Sequence, residues 1–438
     1  MKRLAAAVAL ALASSCGGQK DVADPPATAE AEIAIVGIDD LAEQFVKLGL
    51  ALGAHDPAYV DAFSGPEDWA AAAKEQAKPL AEIEKDALGI IEALDILERD
   101  GADARLSGLK RAATAALTRA RMANGESYSF DEEARLLYGV TPPSYSIEEF
   151  DAALAEIDAL LPPGGGDVSA RLDAFRKDLV IAPEKLDAVM QAAIAECRRR
   201  TLAHYALPET ERFTMRTVTD KPWSGYNWYQ GDFESLIEIN TDLPVYIDRA
   251  VDLGCHEGYP GHHVWNVVVD RDLRRAAGWI EFSILPLFSP QAMIGEGSAN
   301  YGIELAFPGE EKTVFERDAL YPLAGLDPAK AEVYAAINGA KRRLAGATVW
   351  IARDYLDGNI VAEEAVSRLM KYDLSSRERA EQRVRFFDQY RAYVINYSIG
   401  RDLVHHYVQS RAQAGADPWA AFEDLLKSPD AAGILTAE

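Results

Sequence analysis

The 438-residue sequence predicts a mainly α-helical protein with a small β element just upstream of a histidine cluster. Three observations carry this expectation. Apolar residues recur at three- and four-residue spacing through most of the chain. Two stretches near its middle switch to alternation and to Thr, Val, Tyr and Trp. Hydrophobic residues make up 49% of the sequence, enough for a large core, and no repeat of roughly 20 to 50 residues subdivides it.

The first sixteen residues stand apart from the fold. Met1-Lys2-Arg3 is basic, and Leu4 to Ala13 is an apolar run of about ten residues, too short to span a bilayer. Ser14-Ser15-Cys16 follows. This resembles the lipobox of bacterial lipoproteins, cut before a Cys that then carries lipid, with Ala13 standing where Leu is usual. An ordinary secretory signal with an incidental Cys is the alternative. Lipid on Cys16 places the protein in the cell envelope, touching the membrane only through that anchor. Residues 17–34, rich in Gly, Pro, Ala and acids, read as a flexible linker.

Residues 35–205 read as an N-terminal helical region. Ile35 to Leu50 has helical spacing. Glu67 to Arg99 is rich in Ala, Leu, Glu and Lys, and Leu106 to Met122 continues in that style. Ser146-Ile147-Glu148-Glu149 has capping-box spacing, and Phe150, Leu154, Ile157 and Leu161 then follow one face. Pro162-Pro163-Gly164-Gly165-Gly166 breaks the chain, and a helix from about Pro183 to Tyr205 closes the region. Residues 206–438 read as the catalytic region. Arg212 to Thr219 and Tyr226 to Thr241 are strand-like, the latter around Gly231-Asp232. Helical texture resumes near Pro244, and again from Gln291 to the end, with a turn-rich break at Pro322 to Pro328.

The net charge of −25 argues against a nucleic-acid partner, because no basic surface stands out to neutralise phosphates. After Cys16 only Cys197 and Cys255 remain, which excludes a disulfide framework. A single bridge is compatible with an oxidising envelope, but nothing in the spacing supports it.

Three of the seven histidines fall in Cys255-His256-Glu257-Gly258-Tyr259-Pro260-Gly261-His262-His263. Imidazole binds zinc through a neutral ring nitrogen, and a neighbouring carboxylate can take the proton of a metal-activated water. The spacing does not suit an ideal helix. His262 would be turned roughly 120° from His256, and His263 would lie roughly 10 Å along the axis. A bulged or broken turn at Pro260-Gly261 resolves this by swinging His262 back, with His263 left to orient substrate or polarise its carbonyl. Choosing His263 as the second ligand is the alternative, and a surface histidine cluster on a kinked helix is the bland reading. A catalytic zinc normally takes three protein ligands. Glu296, in Gly295-Glu296-Gly297-Ser298-Ala299-Asn300-Tyr301, is the best third candidate, with Asn300 one turn on to accept the outer N–H of a ligating His and Glu304 beyond it. Otherwise Glu296 is a dipole partner of its helix.

His-Glu-Gly-Tyr-Pro-Gly-His-His at 256–263 resembles the signature of the bacterial domain of unknown function 885 family, which is zinc-metallopeptidase-like and related in plan to the gluzincins. Glu296-Gly-Ser-Ala-Asn-Tyr301 and Val394-Ile-Asn-Tyr-Ser-Ile-Gly400 are similar to two further signatures. The resemblance covers residues 222–403. It implies a large helical gluzincin-like architecture, one Zn2+ held by His256, His262 and Glu296, Glu257 as general base, and Tyr397 as donor to the developing oxyanion. Ser298 stands where the family has Trp, and Ile303 where an acid is common.

Tyr397 has a physical case of its own, since a phenol near a polarised carbonyl can bond the oxyanion. Equally, Tyr390, Tyr393 and Tyr397 form a stripe that packs as core. Arg391 and Arg401 suit either a substrate carboxylate or plain salt bridges, and His405-His406 read as partly buried helix residues. The leading expectation is a zinc-dependent peptidase acting on a peptide or small amide, with substrate backbone pairing along the Trp228–Ile239 segment. A non-catalytic metal- or ligand-binding lipoprotein, a hydrolase of esters or non-peptide amides, and a structural envelope protein are the rivals.

Overall fold

A computed structural model describes residues 37–437 except Asp100, Ala102 and Pro222. The expected signal segment 1–16 with Cys16, and the expected linker 17–34, lie outside the described residues. The fold is mainly α, as expected. Helices Ile38–Gly53, Glu67–Gln76, Leu80–Glu98, Ala104–Ala123, Phe130–Tyr138, Ile147–Leu160, Val168–Arg176 and Pro183–Leu202 succeed one another before the central strands. Their apolar faces join one core that runs from Leu41 to Leu435. Glu67 to Arg99 is two helices rather than one. Pro79 cannot continue a helix, and Ala77 before it turns left-handed at φ 34°. Ser146 caps its helix through Glu149 N–H at 3.4 Å, without the reciprocal bond of a full capping box.

Among the described residues the β part is two small sheets. Strands β2 (Arg212–Val218), β3 (Gly225–Gly231) and β4 (Glu234–Asn240) have the order β2-β4-β3, with β2 parallel and β3 antiparallel to β4. β4 is therefore paired on both sides, and only the β3 part of the Trp228–Ile239 segment has a free edge. A second sheet pairs β1 (Val60–Phe63) with β5 (Ile284–Pro286), antiparallel. Both are too short to leave a period in the sequence.

Helix Asp248–Leu253 leads from β4 into the histidine cluster, and there the winding changes. Gly254–Gly258 widens to π-type turns, with Tyr259 N–H bonded to Gly254 O at 3.4 Å. Gly261 N–H then folds back onto Cys255 O at 3.0 Å, and helix His262–Val268 restarts. A Cβ on Gly261 would overlap the His256 carbonyl oxygen, so this reversal admits only glycine. Cys197 and Cys255 form a disulfide, tying helix Pro183–Leu202 to the widened turn with Cα atoms 5.4 Å apart. Two cysteines 58 residues apart are brought together by helix packing, which spacing alone does not reveal.

Candidate metal centre

The reversal at Pro260-Gly261 sets the His256 and His262 rings face to edge, with centroids 4.7 Å apart and planes at 90°. Across from them runs helix Pro290–Ala306, which carries Glu296. That helix approaches closely because Gly297 lies against Gly400, where a Cβ would come within 2.5 Å of the backbone. Glu296 Oε2 lies 3.4 Å from His256 Nε2 and 3.8 Å from His262 Nε2. Ligand atoms on a tetrahedral zinc, each about 2.0–2.1 Å from the ion, stand about 3.4 Å apart. The same Oε2 is buried and has no hydrogen-bond partner. An orphaned carboxylate oxygen facing two imidazole nitrogens at that separation fits a divalent ion. Glu257 also lies within reach, its carboxylate grouping with the two histidines inside 4.8 Å. Of the two acids, Glu296 is the better ligand, because its free oxygen faces both nitrogens.

The electrostatics sort the four residues. Burial pulls His262 down to about 4, so its imidazole is neutral, the ligating form. Burial also pulls His256 down, but Glu296 and Glu257 outweigh it and hold the ring above its usual value. Burial pushes Glu296 up, and the two histidines and Tyr393 overcome it, leaving the carboxyl low. At Glu257 the His256 and Arg249 charges do not outweigh burial. Burial raises it to about 7, near the value that suits a general base. Its backbone is fixed by Asn227 of β3, whose amide donates to Glu257 O at 2.7 Å. Gly225 of the same strand leaves room for its carboxylate, since a Cβ there would lie 2.8 Å from Glu257 Oε1.

The remaining expected residues divide. Tyr397 borders the centre, its phenol held protonated by burial and by the Glu296 charge. His263 is not brought to it. Its ring is fully buried on the other side of the helix, Nδ1 on Ser235 at 2.8 Å and Nε2 on Glu211 at 2.9 Å. Both nitrogens are thus engaged in structure, which leaves none for a substrate carbonyl. Asn300 does not meet a histidine either; its amide donates to Glu296 O at 3.0 Å and Tyr397 O at 3.3 Å, tying the two helices. Glu304 pairs with Arg401 and Arg391 with Glu133, as structural bridges. His405 packs on Tyr301 and His406 is exposed.

Two residues escaped sequence reasoning. Tyr393 donates its phenol to Glu296 Oε1 at 2.8 Å and so orients the carboxylate. In sequence it is one member of an aromatic stripe, and only the turn of its backbone singles it out. Asp61, on β1, bonds Tyr226 and is raised to about 7 by burial and by the Glu296 and Glu257 charges. No motif surrounds it.

No family model matches the sequence, and no curated protein matches it. Among solved structures, the chain is similar to a candidate lipoprotein of Colwellia psychrerythraea, with TM-score 0.50 and 14% identity over 92% of this chain and 76% of that one. A candidate lipoprotein of Shewanella oneidensis follows at TM-score 0.45 and 14% identity, over 91% and 82%. Metallocarboxypeptidase 1 of Trypanosoma cruzi has TM-score 0.41 and 12% identity, over 90% and 89%. The likeness of fold rests on the first of these.

Proposed function

We infer that the protein is a divalent-metal-dependent amide hydrolase, a zinc peptidase of gluzincin-like plan, in keeping with the resemblance to the domain of unknown function 885 family. The observation that carries this reading is the partnerless Glu296 Oε2 at 3.4 and 3.8 Å from two imidazole nitrogens. His256, His262 and Glu296 would hold the ion, a donor set suited to zinc. The ion supplies Lewis acidity that polarises a carbonyl and acidifies water. Glu257 accepts the proton of the attacking water and returns it to the leaving amine nitrogen. Tyr397 donates a hydrogen bond to the oxygen on which charge develops. Tyr393 keeps Glu296 in place. The N-terminal segment ending at Cys16 supports a lipid-anchored place in the cell envelope, and the Cys197–Cys255 disulfide suits an oxidising compartment.

The test is Glu257→Gln in the full chain. It retains stoichiometric zinc by elemental analysis and loses at least about 100-fold in turnover of a peptide library. Full activity in this variant, or wild-type protein that holds no metal after purification without chelator, ends the reading.

A further inference from the structure

The chain has 70 acidic and 45 basic side chains, and its sequestered cations are mostly ion-paired: Arg105 with Glu281, Arg119 with Asp56, Arg391 with Glu133. Arg176, Lys341, Arg379 and Arg383 make no ion pair within 4.0 Å among the described residues. They come from three separate helices, Val168–Arg176, Ala331–Lys341 and Arg377–Tyr390, yet they converge. Arg176 and Arg379 set their guanidiniums over one ring, 5.6 and 6.0 Å from the centroid of Tyr246. Arg176 is only 8% exposed, and its buried Nε has no partner. Two carboxylates face the group. Asp373 is shared among Lys341, Arg383 and Arg176, and Asp248 already accepts from Tyr334 Oη at 3.0 Å and Asn338 Nδ2 at 3.2 Å. Four cations less two carboxylates leave an excess of two positive charges, inside a protein of net charge −25.

This excess adjoins the metal centre. Arg379, Arg383, Phe386 and Tyr390 follow at i, i+4, i+7 and i+11 along helix Arg377–Tyr390, and so share a face. Phe386 packs 6.3 Å from the ring of Tyr397 and 6.4 Å from that of Tyr393, which bonds Glu296. Arg383 is one turn back from Phe386, and its charge is felt at Tyr397. Arg249, on the helix that runs into His256, pairs with Asp252 at 3.6 Å, and its charge also reaches Glu257 and Arg379. Arg383 thus stands one helical turn, about 5 Å, beyond a ring that itself packs 6.3 Å from Tyr397, a span of a few residues of extended peptide.

We propose that Arg383 and Arg249, backed by Arg379, Arg176 and Lys341, form a subsite for a carboxylate of the substrate, adjacent to the scissile bond. The proposal rests on the amide-hydrolase reading and names its substrate class: peptides bearing an anionic group within a few residues of the bond cut. Sequestered cations in excess of their carboxylates are unfavourable on their own, and a further carboxylate taken in the guanidinium fork offsets that cost. The carboxylate has two sources, the free C-terminus of the peptide or an acidic side chain.

Three hexapeptides of one sequence test this on the full-length, zinc-loaded protein: a free C-terminal acid, its C-terminal amide, and the amide with one Glu at the penultimate position. Turnover is measured with the wild type, and dissociation constants by calorimetry with Glu257→Gln. The free acid should exceed the plain amide by about 100-fold in kcat/KM and in affinity. Arg383→Met should collapse that ratio toward unity, and the wild-type comparison stands even if this variant does not fold. A Glu-containing amide that matches the free acid assigns the subsite to side chains and supports the proposal. Equal turnover and equal binding of all three peptides overturns it. No hydrolysis of any peptide, with the acid still bound more tightly than the amide, keeps the subsite and defeats the hydrolase reading alone.

Discussion

Tyr393 and Tyr397 lie one turn apart, with ring centroids 5.8 Å apart, and the structure gives them different work. Tyr393 is spent on Glu296 Oε1, whereas Tyr397 borders the centre without that bond. Tyr393→Phe should therefore weaken zinc binding about 10- to 100-fold, the usual effect of removing a group that orients a ligand, as read by competition with a chelating dye. Tyr397→Phe should leave zinc affinity intact and lower kcat with little change in KM. The reverse pattern would exchange the two roles. A second residue-scale consequence concerns acid. Burial pushes Glu211 up, but His263, Tyr259 and Arg198 overcome it and depress the carboxyl from 4.5 to about 2. A carboxyl lower in the folded state stabilises above its unfolded value, and that contribution fades as pH falls from 4.5 toward 2. Urea midpoints between pH 7 and pH 3 should show the loss, and Glu211→Gln should flatten this acid limb. At this scale the sequence was legible where chemistry is local. Glu257 follows His256 directly, and a spacing of six excludes an ideal helix for His262, so a distorted turn is the remaining geometry. Tyr393, Asp61 and Arg383 acquire meaning only from contacts across the fold, and His263 is indistinguishable from His262 until the turn shows which ring faces in.

At the scale of elements, the widened turn Gly254–Gly258 and the reversal at Gly261 build the site. Gly261 is wedged against the backbone of the residue it must bring near, the proposed ligand His256 itself. Gly261→Ala should thus push the two imidazoles apart: zinc content falls below stoichiometry, while far-UV circular dichroism stays helical. Stoichiometric zinc in this variant would show that the reversal can form without glycine. Gly297→Ala tests the partner helix independently, since its Cβ meets Gly400 and not a ligand. Long helices were readable because their apolar periodicity is set by the face each buries. The split at Pro79 was missed although Pro signals it, because a shared Ala- and Glu-rich composition masks it. β1 and β5 were not readable, because strands of four and three residues owe their existence to pairing with each other.

At the scale of the molecule, the first half of the chain does not merely precede the site; it is fastened to it. Cys255 sits next to the proposed ligand His256, and its bond to Cys197 anchors the widened turn to helix Pro183–Leu202. The core that joins both halves does the same with apolar area. Closing a loop of 58 residues restricts the unfolded chain, which on the loop-entropy account is worth about 4 kcal/mol. Spread over the unfolding entropy of about 400 residues, that corresponds to a melting temperature lower by about 5 °C on reduction. Thermal unfolding of the zinc-loaded full chain with and without reductant measures this shift. A Cys197→Ser, Cys255→Ser double variant should unfold at the lower temperature from the start and be indifferent to reductant. The same variant separates anchoring from bulk stability. If the disulfide holds the turn for zinc, its zinc affinity falls even well below the melting temperature. If zinc affinity is unchanged, the bond serves the fold alone and the backbone reversal at Gly261 suffices to place His262.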